Sequence, residues 1–374
     1  MLDTKLFGNK MKEMGFNFYS GVPCSFLKYL INFAINDCDY VMATNEGDAV
    51  AISAGAYLAG KKSVVLMQNS GLTNATSPLT SLNYSFKIPV LGFVSLRGEP
   101  GISDEPQHEL MGPITTGMLD LMEIKWEYLA DNIGEAVKQL AKADEIIANG
   151  ETFFFVVKKG TFSEVALKET PKKLAQSIMI DLQEGDDSFP TRLSALEVIN
   201  KHKEKSVCLA TTGKTGRELY EVEDSDSNLY MVGSMGTISS LGLGIALNHK
   251  KKVIVIDGDG SIMMRMGSLV TNASYHPENM LHILLDNNVH DSTGGQFTCS
   301  HNVNFVAVAA SCGYTRSLYA HNLEELEGYI QEWNSKQELT FIHLKTAKGS
   351  KKDLGRPKIK PFEVKERLMN FIKR

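Results

Sequence analysis

The sequence predicts an α/β protein of two domains, each a mostly parallel sheet with helices on both faces. Three observations predict it. Continuous apolar runs such as "KSVVLMQ", "TFFFVV" and "KVIVIDG" read as strands buried on both faces. Helical stretches alternate with these runs, as parallel pairing requires. The alternation breaks once, where "ETPKK" and "LQEGDDSFPT" carry Pro, Gly and charge, and then resumes. The expected division is a first α/β domain at 1–160, a linker at 161–190 and a second α/β domain at 191–374 with a basic C-terminal segment.

The elements follow in order. "FNFYSGVP" is a strand and "CSFLKYLINFAIN" a helix. "DYVMATN" is a strand and "EGDAVAISAGAYLAG" a helix. "KSVVLMQ" is a strand, followed by a helix beginning near "GLTNATSPLTSL". "IPVLGFVSL" and "TFFFVV" complete the first sheet. In the second half "SVCLATTG" is a strand, "TISSLGLGIALNHK" a helix and "KVIVIDG" a strand. "SIMMRMGSLVTNASY" reads as one helix, and "MLHILLDNN" and "LTFIHLK" as further strands.

Composition narrows the function classes. The 374 residues are 43% hydrophobic, enough for two cores. A net charge of -5 provides no field for a polyanion, so no nucleic-acid partner is expected. "FFFVV" is far too short to span a bilayer, and "MLDTKLFGNKMKEMGF" has no apolar run of the secretory kind. Cys24, Cys38, Cys208, Cys299 and Cys312 show no CxxC pair or metal-ligand spacing. A reduced, cytoplasmic protein without membrane contact is expected.

Ligands on such sheets bind beyond the strand carboxyl ends. "VIVIDGDGSIMMRMG" ends a strand in Asp257, Gly258, Asp259 and Gly260. The next strand, "MLHILL", ends in Asp286, Asn287 and Asn288. The interval between Gly260 and Asn287 holds one helix and one strand, so the two turns can lie side by side. A carboxylate with an amide oxygen is a hard-oxygen pair suited to Mg²⁺ and its phosphate oxygens. A helix starting near Ser261 would direct its amides at the same place. The alternative for "GDG" alone is a tight turn, and Asp257 reads as a turn residue rather than a ligand.

"GDGSIMMRMGSLVTNASYHPENMLHILLDNN" resembles the fingerprint of the thiamine-diphosphate-dependent decarboxylases. The resemblance implies two thiamine-diphosphate-binding-type domains, pyrimidine-binding then diphosphate-binding. It implies Asp259, Asn287 and the Val289 carbonyl as the Mg²⁺ ligands, with Asn288 the fallback. Where that family often has Gly, this sequence has Val289, a mild departure for a carbonyl ligand. "NEGDAVAISAGAYLAG" resembles the segment carrying the cofactor-activating carboxylate, here Glu46, which also suits a first helical turn. "VGSMGTISS" resembles the segment that bends the cofactor, with Met235 between the rings and the Gly233 carbonyl on the exocyclic amine. Met is otherwise core filler. "TTGKTG" and "DSTGGQ" resemble diphosphate turns, with Thr212, Gly213, Ser292 and Thr293 joining Gly260 and Ser261.

"GVPCSFL", "MQNSGLTNATSPLTSL", "RGEPGISDEPQHELMG", "TGRELYE" and "KGSKKDLGRP" extend the resemblance to the branch that lacks a middle domain, the phosphonopyruvate and sulfopyruvate decarboxylases. It implies conversion of 3-phosphonopyruvate to phosphonoacetaldehyde and CO₂ in phosphonate biosynthesis, toward 2-aminoethylphosphonate. The alternative is sulfopyruvate or another 2-keto acid. Homo-oligomers with active sites at the subunit interface are implied as well. His108 is the candidate proton relay, its alternative a surface or capping role. Ser25 is a substrate contact or a helix N-cap, and His290 a further candidate beside the metal turn. A phosphonate calls for a guanidinium, and Arg97, just after "IPVLGFVSL", is the expected partner. Between Lys345 and Arg374 stand eleven Lys/Arg and three acids. Most of these form a solvated face, with Lys348 and Arg356 able to reach a substrate.

Overall fold

The computed structural model describes residues 1–168, 177–180, 189–293 and 295–374. The chain divides into two compact units, Met1–Lys172 and Lys173–Arg374. "ETPKK" and most of "LQEGDDSFPT" lie outside the described residues.

In the first unit six strands form one sheet. They are β1 (Phe16–Gly21), β2 (Asp39–Met42), β3 (Lys62–Gln68), β4 (Leu91–Ser95), β5 (Lys125–Tyr128) and β6 (Phe153–Val157). Their order is β2-β1-β3-β4-β6-β5, and every pairing is parallel. β4 and β6 are buried at every position, as strands covered on both faces must be. One face packs Phe93 and Phe155 against Phe7 of the helix Thr4–Glu13 and Phe33 of the helix Lys28–Asp37. Each such side chain contributes roughly 1.5–3 kcal/mol by leaving water. The helix Glu46–Leu58 is buried along most of its length, which its small residues allow. β5 lacks an apolar run because it is a half-exposed edge strand, and the sequence pattern passes over it.

The second unit contains β7 (Ile178–Ile180), β8 (Val207–Ala210), β9 (Asn228–Tyr230), β10 (Val253–Gly258) and β11 (Met280–Asp286). β12 (Val289–His290), β13 (Gln296–Phe297), β14 (Arg316–Ala320) and β15 (Thr340–Lys345) follow. Seven of these form a parallel sheet in the order β7-β14-β15-β11-β10-β8-β9, while β12 and β13 make a small antiparallel pair. β7 is exposed on the sheet edge and stands inside the stretch expected to be linker. In the same stretch, Leu2 and Ser163 are hydrogen-bonded, as are Asn32 and Val165, within the first unit.

The stretch expected as one helix from Ser261 is two, Asp259–Met264 and Gly267–Tyr275. Arg265 leaves helical geometry at φ -141°, ψ 50°, which divides them. The register of β10 on β11 pairs Gly258 with Leu285. Asp259 and Asn287 therefore leave the sheet at neighbouring points. β8 pairs Ala210 with Ile256, so the turn at Thr211–Gly213 opens on the same edge. Among the described residues no helix is long and apolar enough to cross a membrane.

Candidate active site

At the carboxyl edge of the second sheet a small cavity is lined by Thr212, Gly213, Met235, Asp259, Asn287 and Ser292, together with Gly260, Ser261, Val289 and His290. The Asp259 carboxylate is 4% exposed. Burial holds its pKa above the ordinary range, and nearby Asp286 adds to the effect. Its close partner is the Thr298 hydroxyl, which donates to Oδ2. Among the described residues no cation pairs with it. A buried carboxylate without a counter-charge, beside an amide, has the donor chemistry that a hard divalent cation needs. Gly260 leaves room there: a Cβ at this position would stand 2.6 Å from the His290 ring and 3.1 Å from the Met235 methyl.

Asn287, not Asn288, lines the cavity. Asn288 sits at φ 57° and is turned aside, its Oδ1 accepting from the Ser300 hydroxyl at 2.8 Å. Ser261 ties two turns together, accepting from Thr211 Oγ1 at 2.9 Å and from the Gly236 amide at 3.1 Å. Two expected residues, Gly233 and Thr293, are not among those lining this cavity. The Thr293 hydroxyl instead donates to the His290 carbonyl at 3.2 Å. Of the "STGGQ" turn, Gly294 lies outside the described residues. The helix expected to aim its amides from Ser261 begins at Asp259 and is short. The longer helix Lys214–Val222 starts directly after Thr212 and Gly213, so its first turn borders the cavity as well.

Four residues of the surroundings escaped sequence reasoning. Arg192 is 6% exposed and lines the cavity. Its Nε donates to Glu218 at 2.7 Å and its Nη1 to Asp291 at 3.0 Å. Asp291 Oδ2 also accepts from Asn287 Nδ2 at 2.7 Å. Lys214 lines the cavity with no partner among the described residues. Arg192 and Asp291 meet across 99 positions of chain, so no local pattern announces them. Asp291, four residues after Asn287, was the one within reach of a spacing argument.

In the first unit the candidates follow strand ends. Glu46 opens its helix after the cap Asn45, whose Oδ1 accepts from the Gly47 amide at 2.8 Å. Asn74 Nδ2 donates to Glu46 Oε2 at 2.9 Å. A Cβ on Gly71 would stand 2.2 Å from Glu46 Oε1, so only glycine leaves the carboxylate its place. Arg97 follows β4, but its charge is not free. Nε donates to Asp104 Oδ2 at 2.7 Å, and Nη2 also bonds that carboxylate. This contact holds the Asp104 carboxyl well below the usual range. Arg97 Nη1 donates to Ser25 Oγ at 3.0 Å, and its guanidinium lies 4.8 Å over the Phe26 ring. Ser25 is not the helix cap: Leu27 holds that position without a side-chain bond. His108 is buried rather than on the surface, and its Nδ1 has no hydrogen-bond partner.

The basic tail divides. Lys348 is exposed, 4.1 Å over the Phe297 ring, and Arg356 lines a separate cavity of the second unit.

The family model "Thiamine pyrophosphate enzyme, C-terminal TPP binding domain" matches residues 212–344, which include the cavity's strand-end turns. The solved benzoylformate decarboxylase of Polynucleobacter necessarius has the same fold, with a TM-score of 0.70 at 14% identity, covering 94% of this chain and 100% of that one. The matched stretch is similar to the cofactor-binding domain of thiamine pyrophosphate enzymes. A phosphonopyruvate decarboxylase of Streptomyces viridochromogenes is 40% identical over 365 residues, 96% of this chain and 92% of that protein. A sulfopyruvate decarboxylase of Methanosarcina acetivorans is 30% identical over 348 residues, 89% and 88% of the two chains. The chain belongs to the family of these phosphonopyruvate and sulfopyruvate decarboxylases, and it is a carboxy-lyase of the thiamine-dependent class.

Proposed function

We propose that the chain decarboxylates 3-phosphonopyruvate to phosphonoacetaldehyde, with thiamine diphosphate and Mg²⁺, as a cytoplasmic enzyme of phosphonate biosynthesis. The observation that carries the reading is the cavity that gathers Asp259, Asn287 and Val289 with Thr212, Gly213 and Ser292. The 40% identity to a phosphonopyruvate decarboxylase favours the substrate. Thiamine diphosphate, when bound, supplies the electron sink for the pair left as CO₂ departs.

The chain's own residues divide the remaining work. Asp259, the Asn287 amide oxygen and the Val289 carbonyl would hold Mg²⁺, whose charge relieves the buried carboxylate. Gly260, Ser261, Thr212, Gly213 and Ser292 would cradle the diphosphate, with Lys214 as its counter-charge. Met235 would separate the two rings, and the Gly233 carbonyl would orient the pyrimidine amine. Glu46, fixed by Asn74 through Oε2, keeps Oε1 against Gly71 as the proton-holding atom. His108 Nδ1, buried and unpartnered, is the atom that moves a proton to the product carbon. Arg97 and Ser25, joined through Nη1, hold the phosphonate.

Glu46 and Asp259 belong to different units of the chain, and we place the complete site at the interface of a homo-oligomer. The test is turnover of purified protein on phosphonopyruvate, sulfopyruvate and pyruvate, with cofactor and Mg²⁺ added. Phosphonopyruvate is expected to be turned over fastest. Faster turnover of sulfopyruvate would move the assignment to the sulfonate branch, which the 30% relative represents.

A further inference from the structure

A second cavity of the second unit adjoins the first and shares Thr212, Gly213 and Ser292 with it. Its other walls are the helix Lys214–Val222, the end of β9 and the tail at 356–364. Half-buried Arg217 comes from the helix and exposed Arg356 from the tail. Among the described residues no carboxylate lines the cavity. Among the described residues neither guanidinium has an ion-pair or hydrogen-bond partner.

Two cations nearby are already paired. Lys351 pairs with Glu221 and Arg367 with Asp224. Two like charges on one concave surface repel each other unless an anion enters. The neighbouring walls, Met231, Val232, Ile359 and Val364, are apolar. A planar guanidinium matches tetrahedral oxyanions through paired N–H donors.

We propose that Arg217 and Arg356 form an anion site for a phosphonate or phosphate dianion, distinct from the metal turn and from Arg97. The dianion has two possible sources, the head group of the substrate or free phosphate. The first source rests on the substrate named under Proposed function and would replace Arg97 as holder of its head group, whereas the site itself rests on neither. The tail would then close on the occupied cavity through Arg356.

The experiment titrates holoenzyme with methylphosphonate by calorimetry and repeats the titration on Arg217→Gln, Arg356→Gln and, as a surface control, Lys351→Gln. Each arginine variant should weaken binding roughly tenfold or more, while Lys351→Gln leaves it unchanged. Competitive inhibition of phosphonopyruvate turnover that is lost in Arg217→Gln assigns the site to the substrate head group. Methylphosphonate binding that persists at saturating substrate assigns it to free phosphate. Absence of binding, or binding untouched by both arginine substitutions, overturns the proposal. Calorimetry needs no turnover, so a wild type inactive on every keto acid would count against the proposed function and leave this test readable.

Discussion

Asn287 Nδ2 donates to Asp291 Oδ2 at 2.7 Å, and that carboxylate is held in turn by Arg192. The bond decides which way the amide faces, since only its nitrogen can donate. The oxygen is thereby left to accept, and the Val289 amide stands 3.2 Å from it. Partners behind a metal ligand usually carry about 10–100-fold of metal affinity. Asp291→Ala is expected to raise the Mn²⁺ dissociation constant by that order, measured by paramagnetic resonance on the apoprotein. Asp291→Asn, which can still accept, should recover part of the loss. Equal Mn²⁺ affinity in all three proteins would remove Asp291 from this role.

Asp259→Ala should abolish metal-dependent cofactor binding while the fold survives. The substitution removes the one carboxylate of the proposed ligand set, and a diphosphate would then meet the turn without compensation. Chelation of the wild type should silence turnover, and Mg²⁺ should restore it. Circular dichroism checks the fold. Full activity after exhaustive metal removal would contradict the assignment.

Much of this architecture is legible before any coordinates, because parallel strands buried on both faces must be apolar throughout. β3, β6, β10 and β11 announce themselves in that way. β5 and β7 do not, being an edge strand half in water and an exposed edge strand. The strand-end turns are legible through their Asp, Gly and Asn residues. The break at Arg265 is not, since the apolar pattern runs on across it. Contacts between distant segments are the least legible. The sequence shows Arg97 as a cation at a strand end, but only the folded loop shows that Asp104 cancels its charge.

Glu46→Gln should bind cofactor and scarcely turn over. The amide keeps the shape and can still meet Asn74, but it cannot take up and return a proton. If the site spans two subunits, mixing this variant with Asp259→Ala under conditions of subunit exchange should recover activity, because hybrid dimers hold one intact site. Proven exchange without recovery would mean that a single chain builds the whole site.

The Arg97–Asp104 pair gives the first unit an acid-sensitive element. Asp104 titrates below its ordinary value because Arg97 holds its charged form. Its stabilising contribution is therefore present above the unfolded carboxyl range, near about pH 4, and is lost as pH falls toward the lowered value. Urea midpoints of the wild type and Asp104→Asn should differ at pH 7 and converge as the solution is acidified. A constant difference from pH 7 to pH 2.5 would show that the pair contributes no pH-linked stability.

Arg97 itself is expected to carry selectivity for the charged head of the substrate. A phosphonate brings close to two negative charges, which a methyl group lacks. Arg97 would meet it with a guanidinium half engaged by Asp104 and half turned to Ser25. Truncating one member of a buried charge pair costs roughly 2–5 kcal/mol. Arg97→Ala should therefore lose on the order of a hundredfold in kcat/KM for phosphonopyruvate, with pyruvate little changed. The substitution also strands Asp104, whose uncompensated charge would by itself repel the substrate. Arg97→Ala combined with Asp104→Ala separates the two effects, because residues in contact do not act additively. If the double variant regains wild-type kcat/KM on phosphonopyruvate, Arg97 serves only to neutralise Asp104. If it stays impaired on phosphonopyruvate alone, the guanidinium binds the head group directly. Equal losses on pyruvate and phosphonopyruvate in the single variant would make Arg97 a structural residue of the 97–108 loop, and the selectivity would have to come from other cations.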